Sequence, residues 1–320
     1  MKLFTVNKIE FGWDEVSAAA EVWGEWARLT EQVRRSLACQ KFAVESGQLP
    51  AAKEIRDALT AFRYAHNLIS ADETQAWLNR WELTIEELMG YLRGKLLTER
   101  WANHMETILA AHPICDAEIS VLLKNYAICA DKLGEWAIKL AGHAAIAARS
   151  GSFDAGGQSQ RQLAPRDLIT CIEAEFERER QQTVTSHLIE AKITDHRLDW
   201  IRFDCRCLWF AEERIAREAV WCVTEDGLSL DEVAADARAE LRQWNFYLDE
   251  LEANARPHFL AARQGDLLGP VKLQDGFPLF SIALKKMPAA DDPQIRQRAE
   301  RAIVDGWMDQ AVNEQVKWLM

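Results

Sequence analysis

Apolar positions recur every three or four residues through most of the chain. Between 13 and 46, Val16, Ala19, Ala20, Val22, Trp23, Trp26, Leu29, Val33 and Leu37 fall on one stripe. That spacing predicts a helix or helix pair, stopped by Gly47 and Pro50. A second helix is expected from 51 to about 69. Ser70 stands three before Glu73, and Thr84 three before Glu87. Each is a capping box, in which hydroxyl and carboxylate take orphan N–H groups at a helix start. A short helix over Ala71–Trp81 follows, then a long one from 85 to about 110. After Pro113, 116 to about 150 reads as one more helix, with Leu123, Tyr126, Leu133, Trp136 and Leu140 on its apolar face.

Over 150–165 Gly, Ser and Gln replace the stripe, which marks a linker. Helix resumes over 165–191. Then the period changes from 3.6 to 2. Ile201, Phe203, Cys205, Cys207 and Trp209 alternate with Arg202, Asp204 and Arg206, the pattern of a half-buried strand. A helix is expected over 212–224, ending at Gly227. Ser229 with Glu232 makes a third capping box, opening a helix over Leu230–Ala237. The polar, mixed stretch 238–264 is expected as short helices. Next, two apolar runs, 267–273 and 277–284, flank Gln274-Asp275-Gly276. An Asp-Gly pair between such runs signals a hairpin, because glycine accepts the positive φ of the turn. A charged amphipathic helix over 292–319 closes the chain.

Composition narrows the classes. With 320 residues, 48% hydrophobic and 28% charged, the chain is globular and long enough for two or three cores. A net charge of -12 argues against nucleic acid and anionic membranes as main partners, since both attract basic surfaces. The opening MKLFTVNKIEFGWDE has no apolar core of a signal peptide, and no apolar run reaches a membrane span. A soluble, cytoplasmic protein without membrane insertion is expected. The seven cysteines are odd in number and form no CxxC, which suits free thiols in a reducing compartment.

Candidate chemistry is sparse. Cys205 and Cys207 share one strand face, either as core-facing thiols or as half a metal site or redox pair. His104 and His112 lie eight apart, too far for one helical metal pair, and suit helix ends or surface. Ser152, His143 and Asp154 lack a strand–turn–helix elbow for a nucleophile. Gly156-Gly157 has no following Lys-Ser/Thr and is no phosphate loop. Trp77 and Trp81 lie four apart on one helix, Trp23 and Trp26 three apart on another. Either pair could be core packing or an aromatic wall for a peptide. No metal and no cofactor are expected.

From 199 to 287 the order is strand, helix, capped helix, irregular helical piece, strand, turn, strand, ending in GDLLGPVKLQDGF. That order and that ending resemble the parvulin class of peptidyl-prolyl isomerases. The stretch AWLNRWELTIEELMGYLRGKLLTERW at 76–101 is similar to the helical chaperone region of SurA-type foldases, in which a C-terminal helix returns to the N-terminal helices. The whole arrangement is similar to parvulin-related proteins of peptide maturation systems. The resemblance implies an α+β, predominantly helical chain. It would hold a SurA-like helical domain over 1–150, a linker over 151–165 and a connecting helix over 166–198. A small parvulin-like α/β domain over 199–287 and a C-terminal helix over 288–320, returning to the helical domain, would follow.

The same resemblance implies a client: a precursor or exported peptide, bound for maturation or secretion, with modification or export machinery as a further partner. The catalytic pattern departs from the family. Active parvulins carry a His in the first strand and a His in the last. Here the first strand, IRFDCRC, has none, and Pro278 stands where the second would be. The family's Met and Phe, which receive the substrate proline, fall near Leu251 and Ala255. Asp204 and Cys205 are the remaining catalytic candidates. Leu251, Phe277, Pro278, Phe280, Trp77 and Trp81 are the peptide-binding candidates. Prolyl isomerisation crosses a barrier of roughly 20 kcal/mol, lowered by desolvating and twisting the amide with no obligatory nucleophile. A chaperone-like accessory protein with an inactive parvulin-like domain is therefore the leading expectation. An active isomerase using Asp204 or Cys205 is the alternative. A helical enzyme or metal protein is a third reading.

Overall fold

A computed structural model describes residues 1–149 and 163–319. Most of the expected linker over 151–165, with Ser152, Asp154, Gly156 and Gly157, lies outside the described residues. Among those described, fourteen α-helices and two small antiparallel sheets make a mostly helical α+β chain. The chain divides into two compact units. One is built from Met1–Gln181 with Trp307–Met320, the other from Gln182–Gly306.

The first unit opens with a feature the helical periodicity hid. β1 (Lys2–Val6) and β2 (Ile9–Gly12) form a hairpin. Asn7 and Lys8 turn it with φ of 46° and 69°, the double positive φ of a tight hairpin turn. The second partner of β1 is β7 (Val316–Trp318), with Phe4 opposite Trp318. Leu3, Phe4, Val6 and Phe11 have no exposed surface, and the Phe4 and Phe11 rings stack at 4.8 Å. The closing helix expected to 319 is thereby corrected. It stops at Gln315, and the chain becomes strand to pair with β1.

Helices follow as α1 (Trp13–Val22), α2 (Trp26–Ser46), α3 (Ala52–Ala65), α4 (Ala71–Trp81) and α5 (Ile85–Arg100). Gly24, at φ 73°, separates α1 from α2. Ser70 and Thr84 cap α4 and α5 with reciprocal bonds from Glu73 and Glu87. The long helix expected over 85–110 is broken. Trp101 leaves helical dihedrals and packs edge-on against Phe42 at 4.8 Å, and after a 3-10 turn α6 (Met105–Ala111) begins. The helix expected over 116–150 is likewise two, α7 (Asp116–Cys129) and α8 (Lys132–Arg149). Asp131, at φ 59°, makes the bend, a conformation Asp tolerates better than most residues. The one helix expected over 165–191 is α9 (Pro165–Thr183) and α10 (Ser186–Asp195), parted where Thr185 accepts the Leu188 N–H.

In the second unit β3 (Arg202–Leu208) is central, in the order β4-β3-β6-β5. α11 (Glu213–Thr224) and α12 (Leu230–Ala237) follow β3. β4 (Leu241–Tyr247) corrects the expectation of short helices at that place, although α13 (Arg256–Ala261) is one. As an edge strand, β4 turns Trp244 and Phe246 inward and leaves Arg242, Gln243 and Asn245 in water, so its composition reads as polar. The hairpin is narrower than its apolar runs. β5 is only Leu267–Leu268, pairing with Ser281 and Phe280 of β6 (Leu279–Lys286). Pro270 follows Gly269 and has no N–H to continue the ladder. The expected turn is present, with Leu273 and Gly276 exchanging backbone bonds at 2.9 and 3.2 Å. Gly276 sits at φ 141°, and a Cβ there would lie 2.5 Å from the Phe210 carbonyl oxygen.

The last helix, α14 (Pro293–Gln315), contributes to both units. In the second, Ile295 and Ala299 pack with Ile189, Ile193 and Trp200, and Arg298 holds Asp249 at 2.7 and 2.8 Å. In the first, Trp307 stacks on Phe176 and Glu314 pairs with Arg149 at 2.5 Å. Among the described residues no helix is long and apolar enough to cross a membrane, and no three His, Cys, Asp or Glu gather as a metal site.

Candidate functional site

The sheet of the second unit separates the two catalytic candidates. Side chains alternate across a strand, so Asp204 and Cys205 point to opposite faces. Asp204 is half-buried and held by Arg202 Nε at 2.9 Å. Cys205 joins Cys207, Phe203, Phe246, Phe280 and Ile282 in a core closed by Leu251, Ala255 and Phe259. Burial pushes both thiols up to about 12, so neither supplies thiolate at neutral pH. The core-facing reading of this pair describes its surroundings.

Nor does the fold gather the peptide-binding candidates of this unit. Leu251 and Phe280 lie inside that core, with 4% and no exposed surface. The Phe280 ring meets Phe259 at 5.0 Å and Trp244 at 5.5 Å. Phe277 is half-buried and packs instead with Phe210, Leu208 and the α11–α12 pair. Pro278 is buried just before β6, and its carbonyl accepts the Val271 N–H. Three phenylalanines, at 203, 259 and 280, thus occupy the space beside Leu251 and Ala255 where the family's proline pocket is expected.

An open groove lies instead in the helical unit. On α3, Ala58, Ala61 and Ala65 recur at spacings of three and four, so the helix offers methyl groups toward α5 and leaves a gap. A cavity of about 520 Å³ results. Phe62, Tyr91, Leu92 and Leu96 line it, and His66, Lys95, Glu99 and Asp131 supply polar groups. A second cavity of about 380 Å³ shares Tyr91, Lys95, Glu99 and Ala130 and continues the groove toward Ser36 and Tyr126. Trp77 stands behind it: its ring meets Phe62 edge-on at 5.4 Å and His66 at 5.6 Å. Trp81 is half-buried on the same helix and lines neither cavity.

The groove's geometry depends on Gly94. A Cβ at that position would lie 1.8 Å from Ser36 Oγ and 2.5 Å from Tyr126 Oη. Its absence lets α2 and α5 cross closely and leaves Ser36 free to hydrogen-bond Tyr126. Burial pushes the Tyr126 hydroxyl and the Cys129 thiol each up to about 12. Near neutral pH these groups neither donate readily to a reaction nor attack. An aromatic floor, small walls and a polar rim are what an extended apolar segment needs for docking.

No protein-family model matches the chain, and no curated protein does. The chain is similar to PrsA and SurA-like foldase structures. A peptidylprolyl isomerase, PrsA, from Bacillus anthracis shares 11% identity over 74% of this chain and 92% of that one, at a TM-score of 0.30. PrsA from Bacillus cereus shares 19% over 69% and 83%, at 0.31. A structure from the pair PEB4 and Cj1289, SurA-like chaperones of Campylobacter jejuni, shares 12% over 72% and 90%, at 0.24. Similarity this low carries no inference about a site.

Proposed function

We propose that the chain is a foldase- or chaperone-like accessory protein that binds a client peptide in the α3–α5 groove. The observation that supports this is a contrast. The groove is open, aromatic-floored and polar-rimmed. The sheet face expected to hold a proline is filled by Phe203, Phe259 and Phe280, each with no exposed surface. A pocket that cannot admit proline cannot desolvate and twist its amide. The domain over 199–287 is then a parvulin-like frame without isomerase chemistry. The client is a precursor or exported peptide on its way to maturation or secretion, passed to modification or export machinery. A cytoplasmic setting, suited to cysteines without CxxC spacing, belongs to the same proposal.

Two measurements test it. A labelled, unfolded polypeptide should bind the purified protein, and Ala61→Trp, which fills the groove from an exposed position on α3, should weaken binding at least tenfold. Proline-peptide isomerisation should run at the buffer rate. Turnover well above buffer, lost in Asp204→Ala or Cys205→Ala, would instead establish the isomerase.

A further inference from the structure

The second unit carries a second open groove, between α11 and α12. Ile215, Ala219 and Cys222 fall at spacings of three and four on α11 and face Leu228, Val233 and Ala237. The hollow holds about 260 Å³. Glu218 and Asp236 stand on its two lips. Two large apolar side chains of α11 stay in water here: Ile215, which lines the hollow, keeps 39% of its area exposed, and Trp221, one turn beyond Glu218, keeps 65%. An exposed Trp beside an apolar hollow is the composition of a contact hot spot.

Charge says what fits there. Over 212–238 the chain has eight carboxylates and three arginines. Arg217 is drawn to Glu213 at 2.6 Å, and Asp231 is held by Arg206 at 2.6 Å. Glu218, Glu225, Asp226 and Asp236 have no ion-pair partner among the described residues. The lips therefore present unneutralised negative charge around an apolar floor.

We infer that this groove docks a cationic amphipathic peptide segment, one with an aliphatic or aromatic anchor flanked by Lys or Arg. The anchor enters between Ala219 and Val233, and the flanking cations meet Glu218 and Asp236. Trp221 covers the segment from the side. Opposite potentials across such a contact set selectivity and speed association more than they deepen affinity, so binding is salt-sensitive. The inference stands apart from the α3–α5 groove and holds or fails without it.

The test uses the full chain and two labelled peptides with one apolar pattern, one built on Lys and Leu, the other on Glu and Leu. Fluorescence anisotropy should show the Lys peptide binding more tightly, with affinity falling as salt rises. The double variant Glu218→Lys/Asp236→Lys should weaken it about tenfold, the scale of a few rim charges. Glu218→Gln/Asp236→Asn should fall between. Ala237→Trp, at an exposed lip position, should block the hollow, whereas Ala61→Trp should leave this binding unchanged. Equal binding of both peptides overturns the inference, as does indifference to the double charge reversal. Loss of binding in Ala61→Trp overturns it too, by assigning the peptide to the other groove. Concentration-dependent self-association abolished by Ala237→Trp overturns it by making a second copy the occupant. Far-ultraviolet circular dichroism of each variant must match the parent, which the exposure of all four substituted positions leads one to expect.

Discussion

Gly90 and Gly94 lie one turn apart on α5, and replacing each with alanine should move stability in opposite directions. At Gly94 the added methyl meets Ser36 Oγ at 1.8 Å, Tyr126 Oη at 2.5 Å and Gln40 Nε2 at 2.9 Å. Such overpacking costs about 1–3 kcal/mol. Displacing Ser36 also breaks its buried hydrogen bond to Tyr126, at about 1–3 kcal/mol for a stranded polar group. Alanine returns about 1 kcal/mol of helix propensity. The net for Gly94→Ala is a loss of about 3 kcal/mol, the middle of those ranges. At Gly90 nothing lies within 4 Å of the new methyl. Gly90→Ala therefore keeps only the propensity, a gain of up to about 1 kcal/mol. Urea unfolding of a chain with two units is not safely one transition, so hydrogen exchange of α2 and α5 amides should accompany the midpoints. Adding Ser36→Ala to Gly94→Ala should restore part of the loss, because it removes the nearest obstructing atom. If Gly94→Ala is as stable as Gly90→Ala, the close α2–α5 crossing described above is wrong.

Two further outcomes follow from titratable groups. In the native protein, a thiol reagent at pH 8 should label exposed Cys115 and Cys171 promptly and leave Cys205 and Cys207 unmodified, since burial holds the latter near 12. Prompt labelling of Cys205 would show that the core opens. Lys41, and behind it the Cys115 N–H, lower the Glu118 carboxyl from 4.5 to about 2. A depressed carboxylate adds stability above its unfolded value and loses it as pH falls through the folded one. Acid destabilisation between pH 4.5 and 2 should thus be less steep in Glu118→Gln, followed by circular dichroism. An unchanged slope would remove this pair from the cause.

What could be read from the residues follows their physics. The capping boxes at Ser70, Thr84 and Ser229 gave helix starts to the residue, because the signal is local and chemical. The alternation from Ile201 to Trp209 marked β3 for the same reason. Helix ends inside apolar runs were illegible: nothing near Trp101 announces that its ring must turn toward Phe42, fifty-nine residues earlier in the chain. β4 was hidden because an edge strand shows half its residues to water. β7 was hidden because a three-residue strand has too little sequence to outvote a helical stripe, and only β1 makes it a strand. Of the site, Trp77 was named from its spacing, but the groove in front of it was not. Its signal, the alanines at 58, 61 and 65, is a deficit of volume, and reads as ordinary helix until a facing helix is known.

The pairing of β1 with β7 sets an order of events during synthesis. The second unit is one unbroken stretch of chain and can finish as soon as it has left the ribosome. The first cannot. Leu3, Phe4 and Val6 are made before the second unit, yet the strand that covers one edge of β1 is made only after the whole of it. Through that interval a nascent chain carries an apolar strand with an unpaired edge, the feature most apt to recruit a wrong neighbour. A protein proposed here to shelter other unfinished chains passes through the same exposed condition on its own way to completion.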